Sequence, residues 1–141
     1  MPSLNIYLNF KGKTEAAFNF YKSIFGGEFL VLQRFKDTPE SDRIPESEKE
    51  KIMHVALPIG KNNVLMANDA LESMGHKLTV GNNFTISIEA ESKEEADKLF
   101  NGLSSGGKIQ MTMQDAYWGS YFGMLTDKFG IQWMVSHNNA Q

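Results

Sequence analysis

Apolar and polar residues alternate through Leu4-Asn5-Ile6-Tyr7-Leu8-Asn9-Phe10, which predicts a strand with Ile6, Leu8 and Phe10 on one face. The period then lengthens. From Thr14 the apolar positions are Ala17, Phe18, Tyr21, Ile24 and Phe25, the spacing of a helix with one buried face. Thr14 reads as its N-cap, and Gly26-Gly27 as a left-handed stop. The same pair of elements recurs downstream. Asn83-Phe84-Thr85-Ile86-Ser87-Ile88-Glu89 alternates again, with Phe84, Ile86 and Ile88 on one face. A helix carrying Ala96, Leu99, Phe100 and Leu103 follows, opened by a Ser92/Glu95 capping box and closed before Gly106-Gly107. An offset of about 78 residues lays strand on strand and helix cap on helix cap, the mark of an internal duplication.

Three further strands are expected after each helix, at 28–35, 52–59 and 64–68, then at 108–113, 118–126 and 131–136. Turn chemistry at Gly60-Lys61-Asn62-Asn63 and Asp127-Lys128-Phe129-Gly130 separates neighbouring strands. The expected organisation is α+β: two βαβββ modules, about 4–69 and 83–136, joined by a linker at 70–82 within a single domain, 1–141. Residues 36–51 break the symmetry. They carry Asp37, Glu40, Asp42, Glu46, Glu48 and Glu50 against Lys36, Arg43, Lys49 and Lys51, with Ile44 the only large apolar side chain. Such a run is a surface loop, either a solvated excursion or a lid.

Composition narrows the chemistry. The 141 residues include no cysteine, which removes disulfides, cysteine metal sites and thiol nucleophiles. The net charge of −3 comes without a basic run, so no nucleic-acid partner is expected. No stretch approaches the roughly 20 apolar residues of a membrane span, and no membrane partner is expected. Met1-Pro2-Ser3-Leu4-Asn5 lacks the basic and apolar regions of a signal peptide, so a cytoplasmic location is expected.

Three stretches carry a family resemblance. They are Tyr7-Leu8-Asn9-Phe10 continuing through Glu15-Ala16-Ala17-Phe18-Asn19-Phe20-Tyr21 to Phe25-Gly26-Gly27; Met53-His54-Val55-Ala56-Leu57; and the long run from Trp118-Gly119-Ser120-Tyr121-Phe122-Gly123 to Gln132-Trp133-Met134. The chain resembles the PhnB-like branch, also called 3-demethylubiquinone 3-methyltransferase-like, of the vicinal oxygen chelate superfamily. Glyoxalase I, bleomycin-resistance proteins and extradiol dioxygenases belong to that superfamily. The resemblance implies two βαβββ modules whose mixed sheets curl around a cleft, and a homodimer.

It also implies four metal-ligand slots, on the first and last strands of each module. By strand position these are Asn5, Met66 (or Leu65, one residue away), Asn83 and Met134. None is His, Asp or Glu. Amides and thioethers do not suit a hard divalent cation, so no metal, and neither glyoxalase I nor extradiol dioxygenase activity, is expected. No Gly-x-Gly-x-x-Gly follows a strand, so no nucleotide cofactor is expected either.

With Ile6, Leu8 and Phe10 against the helix, alternation sends Asn5, Tyr7 and Asn9 to the cleft, and likewise Asn83, Thr85 and Ser87. Gln132, Met134 and Ser136 join them, with Trp133 and Val135 packed under the helix. The expected ligand-binding set is Asn5, Tyr7, Asn9, Met66, Asn83, Thr85, Trp118, Phe122 and Met134, suited to a planar or amphipathic small molecule. Aromatics on both faces of 118–126 leave the phase of that strand open, and with it the choice between core packing and ligand contact. His54, the one histidine inside an expected strand, is the acid–base candidate; the plain alternative is a structural histidine. Three readings follow: a metal-free small-molecule-binding protein, a metal-independent enzyme using His54, or a metal at a displaced site through His54 with Asp69 or Glu89.

Overall fold

The structure is a computed structural model describing residues 2–39 and 41–139. The chain divides into two compact units, one up to Thr79 and the other from Val80. The first holds β1 (Ile6–Phe10), α1 (Thr14–Phe25), β2 (Val31–Arg34), β3 (Ile52–Ile59) and β4 (Asn63–Asp69). The second holds β5 (Ile86–Glu89), α2 (Lys93–Ser104), β6 (Lys108–Asp115), β7 (Ser120–Thr126) and β8 (Gln132–Asn138). Each unit is βαβββ with one four-stranded mixed sheet, ordered β1-β4-β3-β2 and β5-β8-β7-β6. The first strand of each pairs parallel with the last, and the remaining pairs are antiparallel. Neither sheet closes on itself. Among the described residues no helix is long and apolar enough to cross a membrane.

Each helix covers one face of its own sheet. From α1, Thr14, Ala17, Phe18 and Tyr21 are buried, a continuous i, i+3, i+4, i+7 stripe. They meet Leu8, Val55, Leu57, Leu65 and Ala67 from alternate positions of β1, β3 and β4. In the second unit Ala96, Phe100 and Leu103 of α2 lie against Leu125, Trp133 and Val135. Burying each large side chain contributes about 1.5–3 kcal/mol. The Trp133 indole N–H is satisfied by Asp127 Oδ2 at 2.9 Å, and Asp127 Oδ1 accepts from the Phe129 and Ile131 amides.

Several local expectations are corrected. Thr14 is the first residue of α1, not its N-cap; Lys13 holds that position without a capping side chain. The cap comes from elsewhere in the chain: Asp69 Oδ1 accepts from the Thr14 amide and hydroxyl, while Oδ2 accepts from the Ile52 amide. A carboxylate there also meets the positive end of the helix dipole. In α2, Ser92 does cap the Glu95 amide, but Glu95 reaches back to the Glu91 amide. Gly26 ends α1 at φ 79°, ψ −168°, outside the left-handed helical region, and α2 ends at Ser105 ahead of the glycine pair. Gly107 is needed for closeness: a Cβ there would run into the Thr126 carbonyl and Asp127 backbone.

The strands at 28–35 and 83–89 are shorter than expected. Beyond Arg34 the chain enters a 3₁₀ turn at Phe35–Asp37. Phe84, expected in the core, is 54% exposed, because β8 begins only at Gln132 and offers no strand partner there. The Gln132 side chain instead donates to the Asn82 and Phe84 carbonyls.

The polar stretch 36–51 is pinned to the first unit. Ile44 packs with Phe35, Leu71 and Met53 in a small second core. Buried Glu48 accepts from the Ser73 hydroxyl. Arg34 forks onto both Glu15 oxygens at 3.0 and 2.6 Å and donates to the Glu50 carbonyl at 2.7 Å. That hydrogen-bonded ion pair holds the Glu15 carboxyl below its ordinary range. Glu40 lies outside the described residues.

Candidate functional site

The face of the first sheet turned away from α1 carries the chemistry. In β1, Leu8 and Phe10 are buried while Tyr7 and Asn9 are exposed; in β4, Leu65, Ala67 and Asp69 are buried while Met66 and Asn68 are half-buried. Strand register sorts the open face into two rows. One runs Tyr7, Met66, Ala56, Val31 across the four strands. The next pairs Asn9 with Asn68 and His54 with Gln33. One step beyond the Val55–Ala67 pair, the β3–β4 register sets His54 beside Asn68. An apolar row therefore lies next to a row of amides and an imidazole.

Tyr7 and His54 join the rows diagonally. Their rings stack at 5.7 Å and 17°, and the phenol oxygen lies 3.4 Å from Nδ1. Partial burial pushes the Tyr7 phenol above its ordinary value. Such a pair can pass a proton or present a flat aromatic platform. The Asn68 Oδ1 atom is sealed from solvent and has no hydrogen-bond partner among the described residues.

The open face of the second sheet is built on the same plan. Ser87, Met134, Met124 and Met111 form one row, and Glu89, Ser136, Phe122 and Gln114 the other. Trp118 tilts over Phe122 at 5.5 Å, and Tyr117 meets Trp118 edge-on at 5.0 Å. The phase that sequence left open is set by α2. Tyr121 donates to Asp97 Oδ1 at 2.6 Å on the helix side, which puts Phe122 on the open side. The same hydrogen bond pushes the Tyr121 phenol up. Trp118 itself precedes β7, in the turn between β6 and β7, and is 59% exposed.

The expected site residues thus fall on two different sheets. Tyr7, Asn9, His54 and Met66 share the first open face; Phe122, Met134 and Trp118 lie on the second. Asn83 and Thr85 precede β5 and are exposed, outside the ladder in which alternation would aim them. Asn5 precedes β1, and its side chain accepts from the Val64 amide at 3.3 Å, clipping the sheet edge. Asn68 was missed as a face residue, and Glu89 was considered only as a metal partner for His54. Strand alternation with Met66 and with Ser87 marks their sides, but both sit at strand ends where register is hard to read.

The donors do not fit a hard divalent cation. Amides at Asn5 and Asn83 and thioethers at Met66 and Met134 supply neither charge nor imidazole. The displaced site with Asp69 fails on geometry: Asp69 is on the helix side of β4, its oxygens held by Thr14 and Ile52, while His54 is on the open side. Glu89 belongs to the second unit, where it accepts from the Ser136 hydroxyl and Asn138 amide, each at 2.8 Å. Among the described residues no three His, Asp or Glu side chains gather as a metal cluster.

Residues 2–136 match the family model described as 3-demethylubiquinone-9 3-methyltransferase. The chain belongs to that family. Among solved structures, protein PA1353 from Pseudomonas aeruginosa is 38% identical, with a TM-score of 0.83 over 96% of this chain and 98% of that one. The PhnB protein from Bacillus cereus is 25% identical, with a TM-score of 0.77 over 96% and 99%. A glyoxalase/bleomycin resistance protein/dioxygenase family enzyme from Burkholderia phytofirmans shares the fold at 24% identity and a TM-score of 0.62, over 94% and 96%. The two βαβββ units of this PhnB-like chain are therefore the glyoxalase/bleomycin-resistance fold.

Proposed function

We propose that this PhnB-like chain is a small-molecule-binding protein that holds its ligand on the open face of the first sheet without a metal. The observation that carries this reading is the paired rows: Tyr7, Met66 and Ala56 beside Asn9, Asn68 and His54, with the Tyr7–His54 stack across them. Such a surface matches a planar molecule with one apolar and one polar edge. Methionine adapts its shape to what it covers, and the second sheet repeats the device with Met111, Met124 and Met134. Native mass spectrometry of freshly purified protein kept in a chelator tests this. A retained small-molecule adduct, lost in Tyr7→Ala, supports the reading; an adduct retained equally in Tyr7→Ala contradicts it.

The second reading is a metal-independent enzyme. The phenol oxygen 3.4 Å from His54 Nδ1 favours it, because the pair can relay a proton. His54→Ala separates the two: ligand binding kept and turnover lost identifies an enzyme, whereas binding without turnover in the wild type identifies a binding protein. We further propose a homodimer, the state that the family resemblance implies. Sedimentation showing only monomer would refute it.

A further inference from the structure

We infer that the ligand of the first sheet is an uncharged planar ring system whose polar edge carries an N–H or O–H donor, received by Asn68. This rests on the reading of that face as a ligand platform and adds the chemical class. Asn68 sits on β4, between Asn9 on β1 and His54 on β3, at the middle of the polar row. Its Oδ1 is a buried acceptor with nothing to accept from among the described residues, an arrangement that folding disfavours unless a partner arrives. The terminal torsion of asparagine is broad, so rotation about it is the motion that would bring the amide edge to the open face. Only a donor satisfies Oδ1, and the NH₂ beside it then offers a hydrogen bond to a neighbouring acceptor. A carboxamide reads such an adjoining donor–acceptor edge bidentately, as it does with adenine.

The rest of the face sets the other limits. Neither row contains Lys or Arg, so no permanent positive charge there favours a carboxylate or phosphate over an uncharged ring. Met66, Ala56 and Val31 lie one row away, about 7 Å along the strands, where the apolar side of a fused two-ring molecule would rest. The Tyr7–His54 stack supplies an aromatic flank.

Two bicyclic lactams test this: carbostyril, which presents N–H beside C=O, and N-methylcarbostyril, which lacks the donor. Affinities are read from the Met66 methyl resonance of the methionine-labelled full chain. Carbostyril is expected to bind wild type about tenfold more tightly than its N-methyl analogue. Asn68→Leu should abolish that preference, while Asn68→Asp, which keeps acceptor oxygens, should retain it and covers the case in which the leucine variant fails to fold. Equal shifts of Met66 by both lactams would overturn the inference and leave the platform reading standing. A preference that survives in folded Asn68→Leu would also overturn it. If neither lactam moves Met66, the inference falls, and adduct retention in the Tyr7→Ala comparison then decides the platform reading independently.

Discussion

The Tyr7 ring lies nearly parallel to the His54 imidazole and offset from it, 5.7 Å between centroids, with its phenol oxygen 3.4 Å from Nδ1. Burial raises the Tyr7 phenol above its ordinary value of 10.0, so the folded state holds that proton more tightly than the unfolded chain. The corresponding stabilisation is complete below pH 10.0 and is lost as pH rises through the folded value. Ultraviolet titration should therefore show Tyr7 ionising late. Tyr7→Phe should flatten part of the alkaline limb of stability, leaving the share due to Tyr121, whose phenol Asp97 also raises. An unchanged alkaline limb would contradict the burial of the phenol.

Asp69 joins three elements by accepting from Thr14 at the start of α1 and from Ile52 in β3. Asp69→Ala strands these buried donors and should cost about 3 kcal/mol or more in urea unfolding. Thr14→Val removes one of the hydrogen bonds and should cost about 1 kcal/mol. Additive losses in the double variant would show that the two residues do not act as a pair.

Two glycines should fail for different reasons. Gly26→Ala places a side chain at φ 79°, ψ −168°, in otherwise open space, and should cost about 1–3 kcal/mol through backbone strain. Gly107→Ala meets the Thr126 carbonyl and the Asp127 backbone, which lies 2.9 Å from the new Cβ, and should cost more than about 2 kcal/mol through displacement of β7. Amide shifts around Thr126 in the second variant alone would distinguish the mechanisms.

The alternation of β1 was legible because β4 flanks every one of its residues, so pleat and burial agree from Ile6 to Phe10. The same pattern misled at Phe84, where the parallel partner stops at Gln132 and a side chain takes over the backbone hydrogen bonds. The phase of β7 depended on Asp97, a residue of α2 that hydrogen-bonds Tyr121; no local pattern within 118–126 contains it. The sequence offered Asp69 only as a metal partner for His54; its capping role was not legible, because its partners lie 55 and 17 residues away. Ile44, noted in the sequence only as the one large apolar residue of a surface loop, proves to be where that loop is anchored, against Phe35 and Leu71.

Zn²⁺, Ni²⁺ and Fe²⁺ should leave the melting temperature of the wild-type protein unchanged, since a ligand stabilises only a fold that binds it. The chemistry of Asn5, Met66, Asn83 and Met134 motivates this. A saturable rise in melting temperature with any of the three metals, absent in Met66→Ala, would contradict it.

The most direct measurement is a crystal structure of the protein with the molecule that co-purifies with it, with anomalous data collected at the transition-metal edges. Ligand density is expected on the open face of the first sheet, in contact with Tyr7, Met66 and Asn68, with no anomalous peak at the ligand. A ligand coordinated to a metal ion, or bound away from that face, would contradict this.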